Sequence, residues 1–380
     1  MTTGADLIII GGGILGLATA HRALSQGLRV TLLEESTRPV GSSIQNFGHA
    51  CFTGQADDLQ DLAMASRAGW LRAASDAGVW AAETGTLVPA ATPAELRVLE
   101  ELADHRGAEQ VRMLTAAQVR TALGHAGADV VGGAHLPLDM RVDPRTAAPR
   151  LAEHLAANGL DLRLGERVLR TADGLVETTR GSYRAERVVV TPGTGIAGIL
   201  PEIAEAHGIV QCTLAMALVE RPAHLPAHFA MLTGTSLARY DGFTAMPGAD
   251  ALRAELAERE PELTACLANL MVTGIESGLL VGDSHAYDAD YEPFLDADLS
   301  ELLLGKASAV LGIERPRVLQ RWLGRYSDAP GTTLVLERPD PSTSVAVVTS
   351  GVGMTLSFGI AERLLAGSPV GSPASASAAL

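Results

Sequence analysis

The sequence predicts an α/β protein in which a parallel-sheet domain is interrupted by a second unit with an antiparallel sheet. Residues 6–10 form an apolar run, residues 15–26 have helical spacing, and residues 28–33 form a second apolar run. This strand–helix–strand order favours a parallel pair. Residues 344–366 return to a strand, glycines and a helix, whereas residues 211–325 alternate irregularly between sheet-like and helical segments. One domain interrupted by another explains this pattern.

The first glycine cluster carries the clearest functional signal. Gly11, Gly13 and Gly16 have the spacing G-x-G-x-x-G between the first strand and the first helix. Glycines there permit a tight turn and a close backbone approach to a pyrophosphate, which then faces a helix N-terminus. Glu34 ends the second strand, where an acidic side chain bonds ribose hydroxyls. The segment predicts a dinucleotide site, but it does not by itself separate NAD from FAD.

The remaining elements follow from caps and periodicity. A helical region is predicted over residues 57–83, and capping-box patterns at Thr92 and Thr115 predict two further helix starts. Asp143-Pro144 opens another helix. From residue 160, short strands with glycine turns are expected, and residues 296–311 read as a helix.

Composition excludes several classes of protein. The chain has 380 residues and a formal net charge of -15, which argues against binding to nucleic acid or to an anionic membrane surface. The three cysteines have neither a disulfide pattern nor metal-ligand spacing, so we expect no metal site. The N-terminus lacks a signal-peptide pattern, and a cytoplasmic protein is expected. The Ser/Pro/Ala-rich residues 368–380 are expected to be disordered.

Four segments resemble, in order, motifs of the D-amino-acid oxidase / glycine oxidase / sarcosine oxidase superfamily of FAD-dependent oxidoreductases. They are DLIIIGGGILGLATAHRALSQGLRVTLLEES, GSSIQNFG, ERVLRT with ERVVVTPGTGI, and SGVGMTLSFGIAERL. The resemblance covers residue 6 to about residue 365. It implies a Rossmann-type, glutathione-reductase-like FAD-binding domain with an inserted antiparallel-sheet α+β substrate domain. We predict residues 1–85, 141–210 and 320–367 for the former, and 86–140 and 211–319 for the latter.

The resemblance also implies which residues hold FAD. The attachment is expected to be non-covalent, because no cysteine lies near the segment where sarcosine-oxidase-like relatives link the flavin. Cofactor contacts are expected from Gly11, Gly13, Ile14, Leu15, Gly16, Glu34, Glu35, Ser42, Ser43, Asn46, Phe47, Gly48, Val168, Thr191, Pro192, Gly193, Gly351, Gly353, Met354, Thr355 and Leu356.

Within this superfamily, five segments are most similar to a bacterial subgroup associated with phosphonate catabolism. They are SIQNFGHA, TGQ, GDSHAYD, RWLGRYS and GMTLSFGIAE. The resemblance implies oxidation of an aminophosphonate related to 2-aminoethylphosphonate. Amino-acid-oxidising relatives carry a Gly-x-Arg-Pro segment whose arginine pairs with the substrate carboxylate. Here Tyr326 stands at that arginine position, and Arg325 precedes it. Because neighbouring side chains on a strand point to opposite faces, the Arg325 side chain is expected on the face opposite Tyr326.

Candidate substrate-binding residues have structural alternatives. His285 and Tyr287 follow an apolar strand, and His285 either faces substrate or makes a local turn hydrogen bond. Arg239 (next to Tyr240) and Arg321 offer anion recognition or surface ion pairs. The other polar and aromatic candidates are Asn46 and His49 in the flavin-facing loop, Cys51 as a small buried residue, and Trp70, Trp80 and Trp322 as core residues.

These expectations predict an FAD-dependent amine oxidase. The substrate would be a small amine that carries an anionic group and an uncharged nitrogen. It would transfer hydride to flavin N5, and the resulting imine would hydrolyse. O2 would accept the electrons from the reduced flavin. The alternatives are oxidation of an amino acid or 2-hydroxy acid, a dehydrogenase that uses an electron carrier, and a non-catalytic FAD-binding protein. The oligomeric state is not predicted.

Overall fold

The computed structural model describes residues 4–290 and 292–366, in which helices and strands are numbered here in chain order. The tail expected to be disordered, residues 368–380, lies outside the described residues. Within the described part, no helix combines the length and the apolar character that crossing a bilayer requires.

The first sheet is mainly parallel and is built around the N-terminal strand. Its strands are β1 (Ala5–Ile10), β2 (Val30–Glu34), β9 (Asp161–Leu164), β10 (Val168–Ala172), β11 (Leu175–Thr178), β12 (Gly181–Val190), β19 (Leu334–Asp340) and β20 (Thr343–Val348). Strands β20, β12, β1, β2 and β9 run parallel in that order. Ile10 of β1 is opposite both Leu33 and Val190, so three strands end at one edge, where open α/β sheets bind ligands.

Both faces of this sheet are covered by helices, which explains why its strands are apolar runs rather than alternating ones. Leu7 and Ile9 pack into one buried cluster, and Ile8 and Ile10 pack into another on the opposite face. The first cluster includes α1 (Ile14–Ser25), α2 (Gln60–Ala77), α5 (Pro144–Ala157) and α13 (Gly353–Leu365); the second includes α6 (Ile196–Ile199) and α7 (Pro201–Ala206).

The second sheet is mainly antiparallel. It contains β5 (Thr86–Ala90), β6 (Arg112–Thr115), β7 (Gly132–Leu136), β13 (Val210–Val219), β14 (Ala230–Leu232), β15 (Met271–Ile275), β16 (Gly278–Gly282), β17 (Ala286–Asp288) and β18 (Val318–Asp328). The pairing of β5 with β14 is parallel. The other helices are α3 (Pro93–Arg106), α4 (Ala116–Leu123), α8 (Gly234–Leu237), α9 (Asp241–Thr244), α10 (Ala249–Arg259), α11 (Pro261–Ala265) and α12 (Ala297–Leu311). A small third sheet has the order β3 (His49–Ala50), β8 (Met140–Val142), β4 (Ala81–Ala82).

The predicted α/β class with an inserted, mainly antiparallel sheet is confirmed. The capping box at Thr115 is complete, and the Thr92 side chain accepts a hydrogen bond from the amide of Glu95. The helix predicted over residues 57–83 was too long: α2 ends at Ala77, because Gly78 adopts a left-handed conformation with φ +62°, and Ala81–Ala82 form β4. The domain boundaries stay a prediction. Residues 320–328, assigned to the first domain, lie in β18 and pair with β13 of the second sheet.

Candidate active site between the two sheets

A cavity lies where the ends of the first-sheet strands meet the second sheet. Elements far apart in sequence line it: the start of α1, the loop before β3, the end of β20, and strands of the second sheet. The predicted cofactor residues on its wall are Gly13, Ile14, Leu15, Ser42, Ser43, Asn46, Phe47, Thr191, Gly193, Gly351, Gly353 and Met354. The cavity therefore joins parts of all four sequence motifs with three of the five predicted substrate side chains, those of Arg239, His285 and Tyr326.

The glycine turn before α1 requires its glycines for steric reasons. Gly11 has φ +105°, and a Cβ there would lie 2.3 Å from the carbonyl oxygen of Thr191. A Cβ on Gly16 would lie 2.0 Å from the carbonyl oxygen of Gly11. Gly11 thus packs the turn against Thr191, directly after β12, and Gly16 packs the start of α1 against the turn. Gly13 and Ile14 face the cavity. The G-x-G-x-x-G spacing thus has the structural context that a dinucleotide turn needs.

Glu34 is held beside this turn at the end of β2. Its Oε2 accepts a 2.7 Å hydrogen bond from the amide of Gly12, and its Oε1 accepts one of 2.8 Å from the amide of Ser36. Neither Glu34 nor the exposed Glu35, whose carboxylate is 3.8 Å from Arg167, is on the cavity wall. Gly48, Val168 and Pro192 are also outside it.

The start of α13 faces the same cavity from another direction. Gly353 and Met354 line the cavity, and the helix has no side-chain N-cap. The indole of Trp70 donates a 2.7 Å hydrogen bond to the carbonyl of Met354, and the hydroxyl of Thr355 accepts one of 3.1 Å from the amide of Cys51. Thr355 and Leu356 are buried behind the wall. The N-cap residue of α1 is Gly13, which has no capping side chain, and the Ser43 hydroxyl accepts from the first helical amide, that of Ile14. The starts of α1 and α13 both face the cavity, and the positive ends of two helices suit a bound anion.

The loop between β2 and β3 is fixed by its own polar side chains. The Asn46 amide donates to the carbonyl of Ser42 and accepts from the amide of Gly48, both at 2.7 Å. Asn46 also lines the cavity, and its amide keeps a second N–H donor, so its predicted contact with the cofactor stays a prediction. Ser43 accepts a 2.8 Å hydrogen bond from the amide of Ile14 and so joins the loop to the start of α1.

The second sheet contributes a polar wall. His285 is buried, and its Nδ1 donates a 2.9 Å hydrogen bond to the carbonyl of Leu267. Burial and then the charge of Arg239 lower the pKa of His285 to about 3, so the ring is neutral and presents Nε2 as an acceptor. His285 makes the local turn hydrogen bond and also lines the cavity, so its contact with substrate stays a prediction.

The predicted anion-binding residues do not all reach the cavity. Arg239 lines it, and its Nη2 donates a 2.8 Å hydrogen bond to the hydroxyl of Tyr287. Tyr287 is 39% exposed and not on the cavity wall. Arg321 does not line the cavity either. It pairs with Glu301 of α12, so the structure shows the surface ion pair that was the alternative to anion recognition. Arg325 and Tyr326 both line the cavity, although they are neighbours on a strand.

Tyr326 stays protonated at the cavity wall. Burial raises its pKa well above the ordinary tyrosine value, and burial also raises the pKa of its cross-strand partner Cys212 to about 12. The ring lies close to Gly351, because a Cβ on that glycine would be 3.1 Å from it. The hydroxyl of Tyr326 is therefore a neutral group beside the start of α13.

Asp283 and Asn269, which no sequence motif marks, line the cavity beside His285. Their backbones are joined by two hydrogen bonds, from Asn269 N to Asp283 O at 3.0 Å and from Asp283 N to Asn269 O at 3.1 Å. Burial is the largest influence on Asp283 and raises its pKa to about 8, against the opposing charge of Arg239. The available signal was an acidic residue directly after the fully apolar strand β16.

A buried polar cluster adjoins the cavity through His49. Its Nε2 lies 3.1 Å from the hydroxyl of Thr86 and 3.4 Å from Asp139 Oδ2. His49, Cys51 and Asp139 bring their ligand-type atoms within 4.8 Å of one another, a grouping hidden from sequence spacing because Asp139 is distant in the chain. The buried guanidinium of Arg141 already supplies positive charge there, and burial followed by that charge lowers the pKa of His49 to about 4.

The structure also shows the surroundings of Cys51 and of the three tryptophans that were expected to be core residues. Cys51 is fully buried, and Trp70 packs against Phe358 with ring centroids 4.8 Å apart. Trp80 lies beside His228, and the Trp322 indole donates a 3.2 Å hydrogen bond to the carbonyl of Gln45. Trp322 thereby fixes the loop before β3 to the second sheet.

The fold and site define a dinucleotide-binding α/β oxidoreductase whose second sheet closes the cofactor-side cavity. A family model described as FAD dependent oxidoreductase (DAO) matches residues 6–366, and the chain belongs to that family. It is thus an FAD-dependent enzyme, as the resemblance implied.

Several solved structures with the same fold have names that describe enzymes acting on amines or amino acids. Glycine oxidase from Geobacillus kaustophilus is 20% identical with a TM-score of 0.77, covering 96% of this chain and 94% of that one. L-proline dehydrogenase from P. horikoshii is 15% identical with a TM-score of 0.79, covering 97% and 95%. Iminodiacetate oxidase from Chelativorans sp. BNC1 is 19% identical with a TM-score of 0.74, covering 97% of each.

A curated relative matches part of the chain. The bifunctional protein ThiO/ThiG of Trichormus variabilis is 27% identical over 218 residues, which cover 52% of this chain and 32% of that protein. The matched segment thus spans about a third of the curated relative's length.

Proposed function

We propose that this enzyme uses FAD to oxidise a small amine that also carries an anionic group, by oxidative deamination or N-dealkylation. The observation that carries the proposal is the shared cavity. Two helix N-termini line it on one side, and Arg239, Asp283 and His285 line it on the other. A cofactor and a zwitterionic substrate would meet in that space. The names of the structural neighbours support a C–N substrate for the fold.

The residues present fit FAD. The start of α1, where Gly13 and Ile14 line the cavity, would place the positive end of this helix beside the pyrophosphate. The steric need for Gly11 and Gly16 keeps that approach open. We assign ribose binding to Glu34, whose carboxylate is already fixed beside the turn. The start of α13 would stabilise negative charge on the flavin ring. The other predicted cofactor residues, including Glu35, Gly48, Val168 and Pro192, remain part of this proposal.

Bound FAD supplies a two-electron acceptor for the C–H bond next to nitrogen, leaving an imine that water hydrolyses. The chain's own residues bind and orient the substrate. We assign the anionic end to Arg239, held in place by Tyr287, because a guanidinium matches carboxylate and phosphonate oxygens. His285 Nε2 accepts, and the protonated Tyr326 donates, so both fix the substrate without adding charge.

For the substrate itself we propose an aminophosphonate related to 2-aminoethylphosphonate. The support is the similarity of five sequence segments to the phosphonate-associated subgroup, together with Tyr326 in place of the carboxylate-binding arginine. An amino acid is the second candidate. It is favoured by the structural neighbours named glycine oxidase and iminodiacetate oxidase.

A substrate panel read by flavin absorbance under anaerobic conditions tests these proposals. It compares 2-aminoethylphosphonate and its N-methyl and 1-hydroxy derivatives with glycine, sarcosine, β-alanine and a 2-hydroxy acid. We expect bleaching by amines, fastest with an aminophosphonate, and ammonia or methylamine as products. Peroxide formation in air checks our proposal that O2 is the electron acceptor. Bleaching by the hydroxy acid alone, or by no compound, contradicts amine oxidation, and the latter result favours a non-catalytic FAD-binding protein.

A further inference from the structure

We propose that Asp283, assisted by Asn269, binds the ammonium group of the substrate and removes its proton before oxidation. This inference rests on the proposed amine oxidation and names the residues that prepare the amine. It is carried by two residues that line the cavity and that each have a buried side-chain oxygen without a hydrogen-bond partner in the part of the chain that the structure describes. The nearby Nδ1 of His285, 3.9 Å from Asp283 Oδ1, donates its proton to the carbonyl of Leu267 instead. Asp283 Oδ1 and Asn269 Oδ1 are buried and form no hydrogen bond to any of the described residues.

Buried acceptors without a partner are uncommon, because a polar group taken out of water loses its hydrogen bonds to solvent. An ammonium group has three N–H donors and no acceptor, so it complements two such oxygens. The two backbone hydrogen bonds between Asn269 and Asp283 hold these side chains on adjacent backbone. The acceptor pair is therefore built into the end of the second sheet and does not depend on a loose loop.

Other groups on the cavity wall cannot take the proton. Asp283 is the only carboxylic acid among the described residues that line the cavity. His285 is a poor base, because burial and Arg239 disfavour its protonated form. Arg239 carries positive charge and suits the opposite, anionic end of the substrate. Tyr326 and Tyr240 keep their protons, because burial raises the pKa of both hydroxyls. His49 also lines the cavity, but its pKa is lowered to about 4, which makes it a poor base.

The proton transfer is balanced without a further reactant. One N–H bond of the ammonium breaks, its electron pair stays on nitrogen, and an O–H bond forms on Asp283. The neutral amine that results has the lone pair that loss of hydride from the adjacent carbon requires. Because burial raises the pKa of Asp283 to about 8, its carboxylate is a stronger base than an exposed aspartate and better matched to an amine.

The charged and titratable groups around Asp283 define what a pH profile would report. They are Arg239, Tyr240, Cys212, Cys266 and His285. The pKa of His285 falls to about 3, and burial raises the pKa of both Cys212 and Tyr240, Cys212 to about 12. In the wild-type enzyme, kcat/KM should rise with pH through the titration of Asp283, so that its base form dominates on the alkaline side.

The test compares Asp283→Asn with Asp288→Asn, an exposed neighbour on β17. With the amine that bleaches the wild-type flavin fastest, we expect Asp283→Asn to lower kcat/KM about 100-fold at neutral pH. The loss should shrink at high pH, where the substrate amine is itself neutral. Asp288→Asn should keep the wild-type profile. Asn269→Leu should raise KM more than it lowers kcat, because it removes one acceptor but not the base.

A binding measurement covers the case in which turnover is lost for structural reasons. Ethylphosphonate and 2-aminoethylphosphonate are titrated against the flavin absorbance of holoenzyme with verified FAD content. We expect Asp283→Asn to keep the affinity for ethylphosphonate and to lose affinity for the ammonium compound, and equal losses for both would overturn the proposal. If the wild type oxidises an amine and Asp283→Asn retains its rate and pH profile, this inference fails while amine oxidation stands. If no amine bleaches the wild type, amine oxidation itself fails.

Discussion

The amide of Gly12 donates a 2.7 Å hydrogen bond to Glu34 Oε2, so the end of β2 is joined directly to the glycine turn that begins α1. A second bond, from the amide of Ser36 to Oε1, fixes the other carboxylate oxygen. The acidic side chain is thus oriented before any ligand arrives. Preorganisation of this kind reduces the entropy lost when a ribose hydroxyl binds.

Replacing Glu34 by Gln should weaken FAD binding. The amide keeps the shape of the side chain but removes the charge that strengthens hydrogen bonds to ribose hydroxyls, a loss of about 1.5–3 kcal/mol. We expect the Kd for FAD to rise about 10- to 100-fold, measured by fluorescence titration of the apoprotein. Glu202→Gln on α7 is the control, since Glu202 is exposed and is not a predicted cofactor residue. Equal Kd values for Glu34→Gln and wild type would remove Glu34 from the cofactor site.

Gly16→Ala should destabilise the protein far more than Gly305→Ala. A Cβ at Gly16 would lie 2.0 Å from the carbonyl oxygen of Gly11, whereas a Cβ at Gly305 on α12 meets nothing within 4 Å. Overpacking of the first site should cost about 1–3 kcal/mol, and alanine at the second should stabilise its helix by about 1 kcal/mol. Thermal unfolding measures both. A Gly16→Ala variant as stable as wild type would show that the turn can shift.

The glycine turn and the helix starts on the cavity wall could be predicted from the sequence, whereas two residues of the polar wall could not. Gly13, Ser43 and Met354 reach the cavity because they belong to local turns and helix starts, whose chemistry is visible in a few adjacent residues. Asp283 and Asn269 are separated by two strands and come together only through strand pairing, so no local pattern marks them. Arg321 had the residue type expected of an anion site, but its strand position directs it to Glu301.

The two arginines proposed from sequence should separate in a binding assay. Arg239→Met should raise the KM for anionic amines at least 10-fold, because it removes the charge-assisted hydrogen bonds to the anionic end. Arg321→Met should leave KM within about 2-fold, since Arg321 pairs with Glu301 at the surface. Steady-state kinetics with an aminophosphonate and the corresponding uncharged alkylamine checks this. A KM increase that is equal for the two compounds would contradict anion recognition by Arg239.

The stability of the protein should depend on pH through His49. Burial lowers the pKa of His49 to about 4, whereas in the unfolded chain it is near the ordinary value of 6.5. Between these values the unfolded state binds a proton that the folded state does not, so stability falls as pH decreases from about 6.5 to about 4. One such proton contributes a slope of at most about 1.4 kcal/mol per pH unit.

His49→Asn should therefore reduce this slope by roughly one proton, while the exposed His105→Asn serves as the control. His285, whose pKa is lowered to about 3, adds to the same trend, and Asp283 opposes it because a raised carboxyl pKa favours the folded state at low pH. Both remain in the two variants, so the difference between the slopes isolates His49. Urea unfolding at a series of pH values, at one FAD concentration, measures it. Parallel curves for wild type and His49→Asn would mean that His49 is protonated in the folded protein, paired with Asp139.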